Sequence, residues 1–121
     1  MLREEDLTRR IRGCVYEVYR NLGAGFLEKV YENALLRELE LCGLNAKAQV
    51  PLKVVYKSKA VGEYFADILV EDRVLVELKA QEQLARIHEA QLLNYLKISG
   101  KKVGLLVNFT YPHAEVRRLV L

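Results

Sequence analysis

The chain holds no tryptophan, one methionine, two prolines, two cysteines and two histidines. Two cysteines are too few for a disulfide-stapled miniprotein, and Cys14 and Cys42 lack the paired spacing of a zinc site. Both fall inside apolar helical patterns and are expected to be reduced core residues of a cytosolic, hence cytoplasmic, protein. The scarcity of proline excludes collagen-like and polyproline architectures. No apolar run approaches the ~20 residues needed to cross a bilayer, so no membrane partner is expected. The charged stretch Met1–Arg12 does not resemble a secretory signal. An excess of one charge is missing as well: 19 Lys and Arg face 16 Asp and Glu, a net of +3. That balance tolerates a polyanionic partner without demanding one.

What is present is ordinary in bulk and informative in detail. Hydrophobic residues make up 51% and charged residues 29% of 121 positions, the size and composition of one globular domain over residues 1–121. Charge is unevenly placed. Residues 1–45 carry 7 basic and 8 acidic side chains, a net of −1, whereas residues 46–121 carry 12 and 8, a net of +4. A phosphate-binding surface is therefore expected mainly on the second part.

Apolar spacing predicts two helices first. Leu7, Ile11, Cys14, Val15, Val18 and Leu22 recur every three or four residues, and Asn21–Gly25 then breaks the pattern. A second helix is expected from Phe26 to Leu41, stopped by Cys42-Gly43. The period then changes to that of strands: Ala48–Tyr56, Val61–Val70 and Val74–Lys79, with Pro51 placing the first at an edge. A third helix over Gln83–Ser99 separates these from Val103–Phe109 and Val116–Leu121. The order ααβββαββ predicts an α/β domain, a mixed sheet flanked by helices. The step from Lys79 to Val103 is long enough for a parallel crossover.

The chemistry concentrates on the second and third strands. Alternation puts Glu77 and Lys79 on one face of their strand, and places Asp67 with Phe65 and Leu69 on one face of the preceding strand. Matching the apolar faces pairs Asp67 near Glu77 and Leu69 near Leu75, across the loop Glu71-Asp72-Arg73. Two carboxylates so close among apolar neighbours need a cation between them. A divalent ion with oxygen ligands, Mg²⁺ or Mn²⁺, meets that need. An ordinary cross-strand pair on a solvent-facing hairpin gives the same pattern. Gly25, Glu28 and Tyr31 share one side of the second helix, and Gln91 and Tyr95 share one side of the third, one turn beyond His88. Each of these sets also suits a first-turn acid, a core tyrosine or a marginal hydrogen bond.

Taken in order, the motifs resemble a known family. Asp67 … Glu77-Leu78-Lys79 resembles the core of the PD-(D/E)xK nuclease superfamily, and Gln91-x-x-x-Tyr95 its Q-x-x-x-Y helix. Gly25-x-x-Glu28-x-x-Tyr31 is similar to the signature of the GxxExxY branch, and Ala66 stands where the superfamily name has proline. The resemblance implies a restriction-endonuclease-like core. It implies Asp67, Glu77 and the Leu78 backbone carbonyl as ligands of Mg²⁺ or Mn²⁺, Lys79 as the catalytic lysine and Glu28 as an additional acid. Gln91, Tyr95 and Tyr31 would meet the substrate. The implied activity is metal-dependent hydrolysis of phosphodiester bonds in DNA or RNA; the alternative is a non-cleaving module that binds nucleic acid or a protein. So small a nuclease covers little of a duplex, so a homodimer is expected.

Overall fold

The computed structural model describes residues 4–121. Helix α1 spans Glu4–Leu22 and α2 Glu28–Leu41; strands β1, β2 and β3 span Ala46–Tyr56, Lys59–Val70 and Val74–Lys79. Helix α3 covers Arg86–Ser99, followed by β4 at Val103–Asn108 and β5 at Glu115–Val120. The strands form one sheet in the order β1-β2-β3-β4-β5. Strands β3 and β4 run parallel, joined through α3, and the other neighbours are antiparallel. The expected mixed α/β sheet with flanking helices is the fold observed, with Pro51 on the edge strand β1.

Alternation along the strands builds two cores. Leu7, Ile11, Val15 and Val18 of α1 and Leu35 and Leu39 of α2 pack with Ile68, Val70, Val74, Val76 and Leu78 on one face of the sheet. Leu92, Tyr95 and Leu96 of α3 pack with Leu69, Leu75 and Leu106 on the other. Gly104 lets α3 sit close: a Cβ there would lie 3.0 Å from a Leu92 methyl. That approach fixes the height of Gln91 and Tyr95 over the sheet. Strands β3 and β4 are buried almost throughout, as their near-continuous apolar sequences require.

Three sequence expectations change. Helix α2 starts at Glu28 because Leu27 keeps an extended backbone (φ −71°, ψ 155°). Helix α3 starts at Arg86, where His88 Nδ1 accepts the Ala85 N–H at 2.9 Å. Cys42 is not a core residue. It caps the C-terminus of α2 and is exposed, while Cys14 is buried with its Sγ 3.5 Å from that of Cys42. Burial first, and the neighbouring Cys42 second, push the Cys14 thiol up to about 12.

The β1–β2 hairpin runs well past the rest of the sheet. Its turn residues Lys57 and Ser58 both have left-handed backbone (φ 47° and 68°), the geometry that matches the twist of paired strands. Every β2 residue from Lys59 to Phe65 is exposed, whereas Ala66 and Ile68–Val70 are buried. Among the described residues no helix is long and apolar enough to cross a membrane.

Candidate active site

The β2–β3 ladder pairs Val70 with Val74, Leu69 with Leu75 and Ile68 with Val76, across the turn at Glu71-Asp72-Arg73. Continued by one residue, this register sets Asp67 opposite Glu77, as the apolar faces predict. The regular ladder stops there. Instead the Asp67 N–H donates to Glu77 Oε1 at 2.8 Å, and the Leu78 N–H donates to Asp67 Oδ2 at 2.8 Å. Each carboxylate thus replaces a carbonyl of the opposite strand and holds the two strands apart at their open end.

This arrangement is electrostatically expensive. Glu77 is only 5% exposed. Burial first, and the Asp67 charge second, raise its carboxyl to about 8, and Glu28 adds to the effect. Asp67 is also raised, chiefly by burial and then by Glu32, against the lowering pull of the Leu78 N–H. Lys79 lowers both. A buried acid whose ionisation a half-buried neighbouring carboxylate disfavours makes a site that attracts a cation.

Strict alternation fails beside Asp67. Ala66 and Leu69 both pack in the cluster beneath α3, although three positions apart on one strand. Phe65 is therefore on the face opposite Leu69, not with it, and is half exposed. The cause lies next door on β1, where Gln49 takes a left-handed backbone (φ 53°) opposite Asp67. That turn of the chain sends the Gln49 amide to Glu32 Oε1 at 2.8 Å, with Asp67 Oδ1 at 3.5 Å. Glu32 is 4% exposed, and Lys29 Nζ holds its other oxygen at 2.8 Å. Glu32 and Gln49 are thus site neighbours that periodicity does not reveal. A polar residue on the buried stripe of α2 is the one sequence signal for Glu32.

The opposite wall comes from α3. Lys79 Nζ lies 3.4 Å from Gln91 Oε1, and Gln91 Nε2 donates to the Tyr95 hydroxyl at 3.1 Å. Lys79, Gln91 and Tyr95 therefore form one chain leading away from the carboxylates. Glu28, the exposed first residue of α2, lies near enough to raise Glu77. Tyr31 does not join them. Its ring is fully buried, stacked on Phe109 at 4.3 Å between centroids. Its hydroxyl donates to the Gly23 carbonyl at 2.6 Å and accepts the Phe26 N–H at 3.2 Å. A side chain so enclosed has no surface to offer a substrate; it pins the turn that delivers Glu28. Lys101 pairs with Asp72 at 3.4 Å, beside the β2–β3 turn and away from the open end.

The donor set suits a hard divalent cation. One oxygen of each carboxylate is engaged by backbone; of the other two, Asp67 Oδ1 also lies 3.5 Å from the Gln49 amide. In an extended strand a residue's N–H and C=O lie on the same side. The Leu78 carbonyl therefore faces the β2–β3 opening, as its N–H does. Among the described residues no group of three or more His, Cys, Asp or Glu side chains gathers at one point. Were an ion held between Asp67 and Glu77, that carbonyl would be the further protein oxygen on this side. Oxygen-only ligation by few protein groups is the habit of Mg²⁺ and Mn²⁺.

Residues 5–119 match the profile of the PD-(D/E)XK nuclease superfamily. The chain belongs to that superfamily. Among solved structures it is similar to the one described as "Crystal structure of SSO0001", with a TM-score of 0.61 and 19% identity. The match covers 76% of this chain and 48% of that one, so the chain spans about half the length of that protein. At that identity the likeness concerns the fold alone, a mixed sheet with flanking helices. No curated protein matches the chain.

Proposed function

We propose that this superfamily member is a metal-dependent nuclease that hydrolyses phosphodiester bonds in DNA or RNA. The observation that carries the reading is the Asp67–Glu77 pair, locked by two reciprocal 2.8 Å bonds to opposite backbones with Lys79 alongside. Asp67, Glu77 and the Leu78 carbonyl would hold Mg²⁺ or Mn²⁺, which would supply a water of lowered pKa and polarisation of a phosphoryl oxygen. Lys79 places its ammonium where negative charge grows on the phosphorane, and Gln91 steadies it from α3. Tyr95 fixes Gln91 in turn. Gln49 and Glu32 position Asp67 from behind. Glu28 supplies a further acid at the rim.

The reading extends to the GxxExxY branch, on Gly25, Glu28 and Tyr31, to a cytoplasmic setting and to a homodimer that presents two sites to a duplex. A sedimentation measurement that gives the monomer mass at every working concentration removes the dimer.

The second reading is a nuclease-fold module that binds nucleic acid or a protein without cutting. The backbone bonds made by both acids favour it, since they give Asp67 and Glu77 an architectural reason to persist. Calorimetric titration with Mg²⁺ or Mn²⁺ tests the first reading. Wild type is expected to bind, and Asp67→Asn and Glu77→Gln to lose binding; equal behaviour of all three rejects the site. Cleavage assays then separate the two readings. Loss of cleavage by at least about 100-fold in Lys79→Met, with metal binding retained, supports hydrolysis. Metal binding by wild type with no cleavage of any DNA or RNA form supports the binding module.

A further inference from the structure

A groove of about 670 Å³ opens between the outer β1–β2 arm and α3. Val54 and Tyr64 form its wall on the arm, and Ile87, Gln91, Asn94 and Tyr95 its wall on α3. The volume falls in the ~300–1,000 Å³ range of sites that enclose a small ligand. Tyr64 is 49% exposed and Ile87 69% exposed. The Tyr64 and Tyr95 rings lie 5.7 Å apart, tilted by 43°.

Three features say what fits there. The groove is continuous with the candidate active site, because Gln91 and Tyr95 line it and Gln91 also faces Lys79 at 3.4 Å. Lys79 stands at the site and Lys97 on the groove's lining, cations that suit a polyanionic backbone. Between them lie a half-exposed aromatic face, an apolar floor and the Asn94 amide. That is the chemistry of a flat heteroaromatic ring with donors and acceptors on its edge.

The geometry points to this groove as the seat of an unpaired nucleobase on the strand whose phosphate meets Asp67, Glu77 and Lys79. The base stacks on Tyr64, and Asn94 meets its edge. A paired base cannot enter, because its ring is stacked within the duplex and its edge is occupied. The preferred substrate is therefore single-stranded, frayed or flapped nucleic acid. This deepens the nuclease reading and rests on it for the position of the phosphate.

Fluorescence anisotropy of the full chain with Mg²⁺ present, and strand integrity verified after each reading, tests it. The probes are three oligonucleotides of equal length: an intact single strand, the same strand with a central abasic run, and a duplex. Each is made as DNA and as RNA. The intact strand is expected to bind about tenfold more tightly than the abasic strand or the duplex. Tyr64→Ala is expected to lose about tenfold on the intact strand and less than twofold on the abasic one. Ile87→Ala, at an exposed helix position, is expected to show the same selectivity if Tyr64→Ala fails to fold. Equal affinity for intact and abasic strands, or equal loss on both, overturns the groove. Cleavage by wild type with groove variants silent overturns the groove alone and leaves the nuclease reading standing. Absence of binding to every probe overturns both.

Discussion

Strand β2 divides at Asp67 into two halves that obey different rules. Its inner half, Ile68–Val70, is buried and hydrogen-bonded to a strand on each side. Its outer half, Lys59–Phe65, pairs with β1 alone and is exposed throughout. The inner half secures the fold through apolar area. The outer half holds few such contacts, and a two-stranded ribbon is marginal by itself. The carboxylates sit at the junction, where backbone pairing to β3 ends and space for a ligand begins.

The sharpest contrast comes from truncating one side chain in each half. Ile68→Ala, with no exposed surface to lose, is expected to cost ~2–5 kcal/mol. Val61→Ala, at a residue 58% exposed, should stay within about 0.5 kcal/mol. Chemical denaturation of the two variants measures the difference, and similar midpoints would erase the division.

The junction itself has a pH signature. Glu77 rises from its ordinary 4.5 to about 8 in the folded chain, so the native state binds a proton the unfolded state releases. Its relative contribution to stability is fully present below about 4.5 and is lost as pH rises toward 8. Metal-free protein in chelator should therefore lose on the order of a few kcal/mol of stability across that window. Glu77→Gln removes the part of the slope that Glu77 supplies and should melt about 5 °C or more above wild type at pH 8. Added Mg²⁺ should restore wild type and leave the variant unmoved. Parallel melting curves from pH 5 to 8 check all three expectations.

Gln49 sharpens the comparison further. Gln49→Gly relieves the left-handed backbone, and Gln49→Ala does not, so the glycine variant should be the more stable by about 1 kcal/mol. Both lose the amide that bridges Glu32 and Asp67, and both should weaken Mg²⁺ binding by roughly 10-fold or more. The smallest global effect is expected at the tip. Lys57→Asn with Ser58→Gly suits the two left-handed turn positions and should slow amide exchange within residues 53–64. The global melting transition should move by less than about 0.5 kcal/mol, because the arm contributes little to the core.

The same division explains what could be read without coordinates. Inside the core, periodicity sufficed. Leu69 against Leu75 set the register, the register set Asp67 against Glu77, and the apolar run at Val103–Phe109 gave a fully covered strand. At the junction periodicity misleads, because Gln49 reverses its backbone and the alternation of faces slips at Asp67. Phe65 is placed on the wrong face by simple alternation, and Gln49 goes unnoticed for the same reason, and with it its partner Glu32 on α2. Tyr31 shares a helix face with Glu28, yet its ring turns inward to Phe109 while Glu28 stays at the rim. The Tyr64–Tyr95 groove joins residues far apart in the chain, so no local interleaving of basic and aromatic residues announces it.

The reciprocal grip of Asp67 and Glu77 on each other's strands also constrains how this chain can change over time. Alanine at either position deletes a carboxylate of the proposed site and also strands a peptide N–H that had a partner. Asparagine and glutamine spare the architecture and cancel the charge. A lineage that abandons hydrolysis is thus expected to drift toward amides at these two sites, or to keep the acids unchanged as struts. Small apolar replacements should be the rarest outcome, even where selection for cutting has ended.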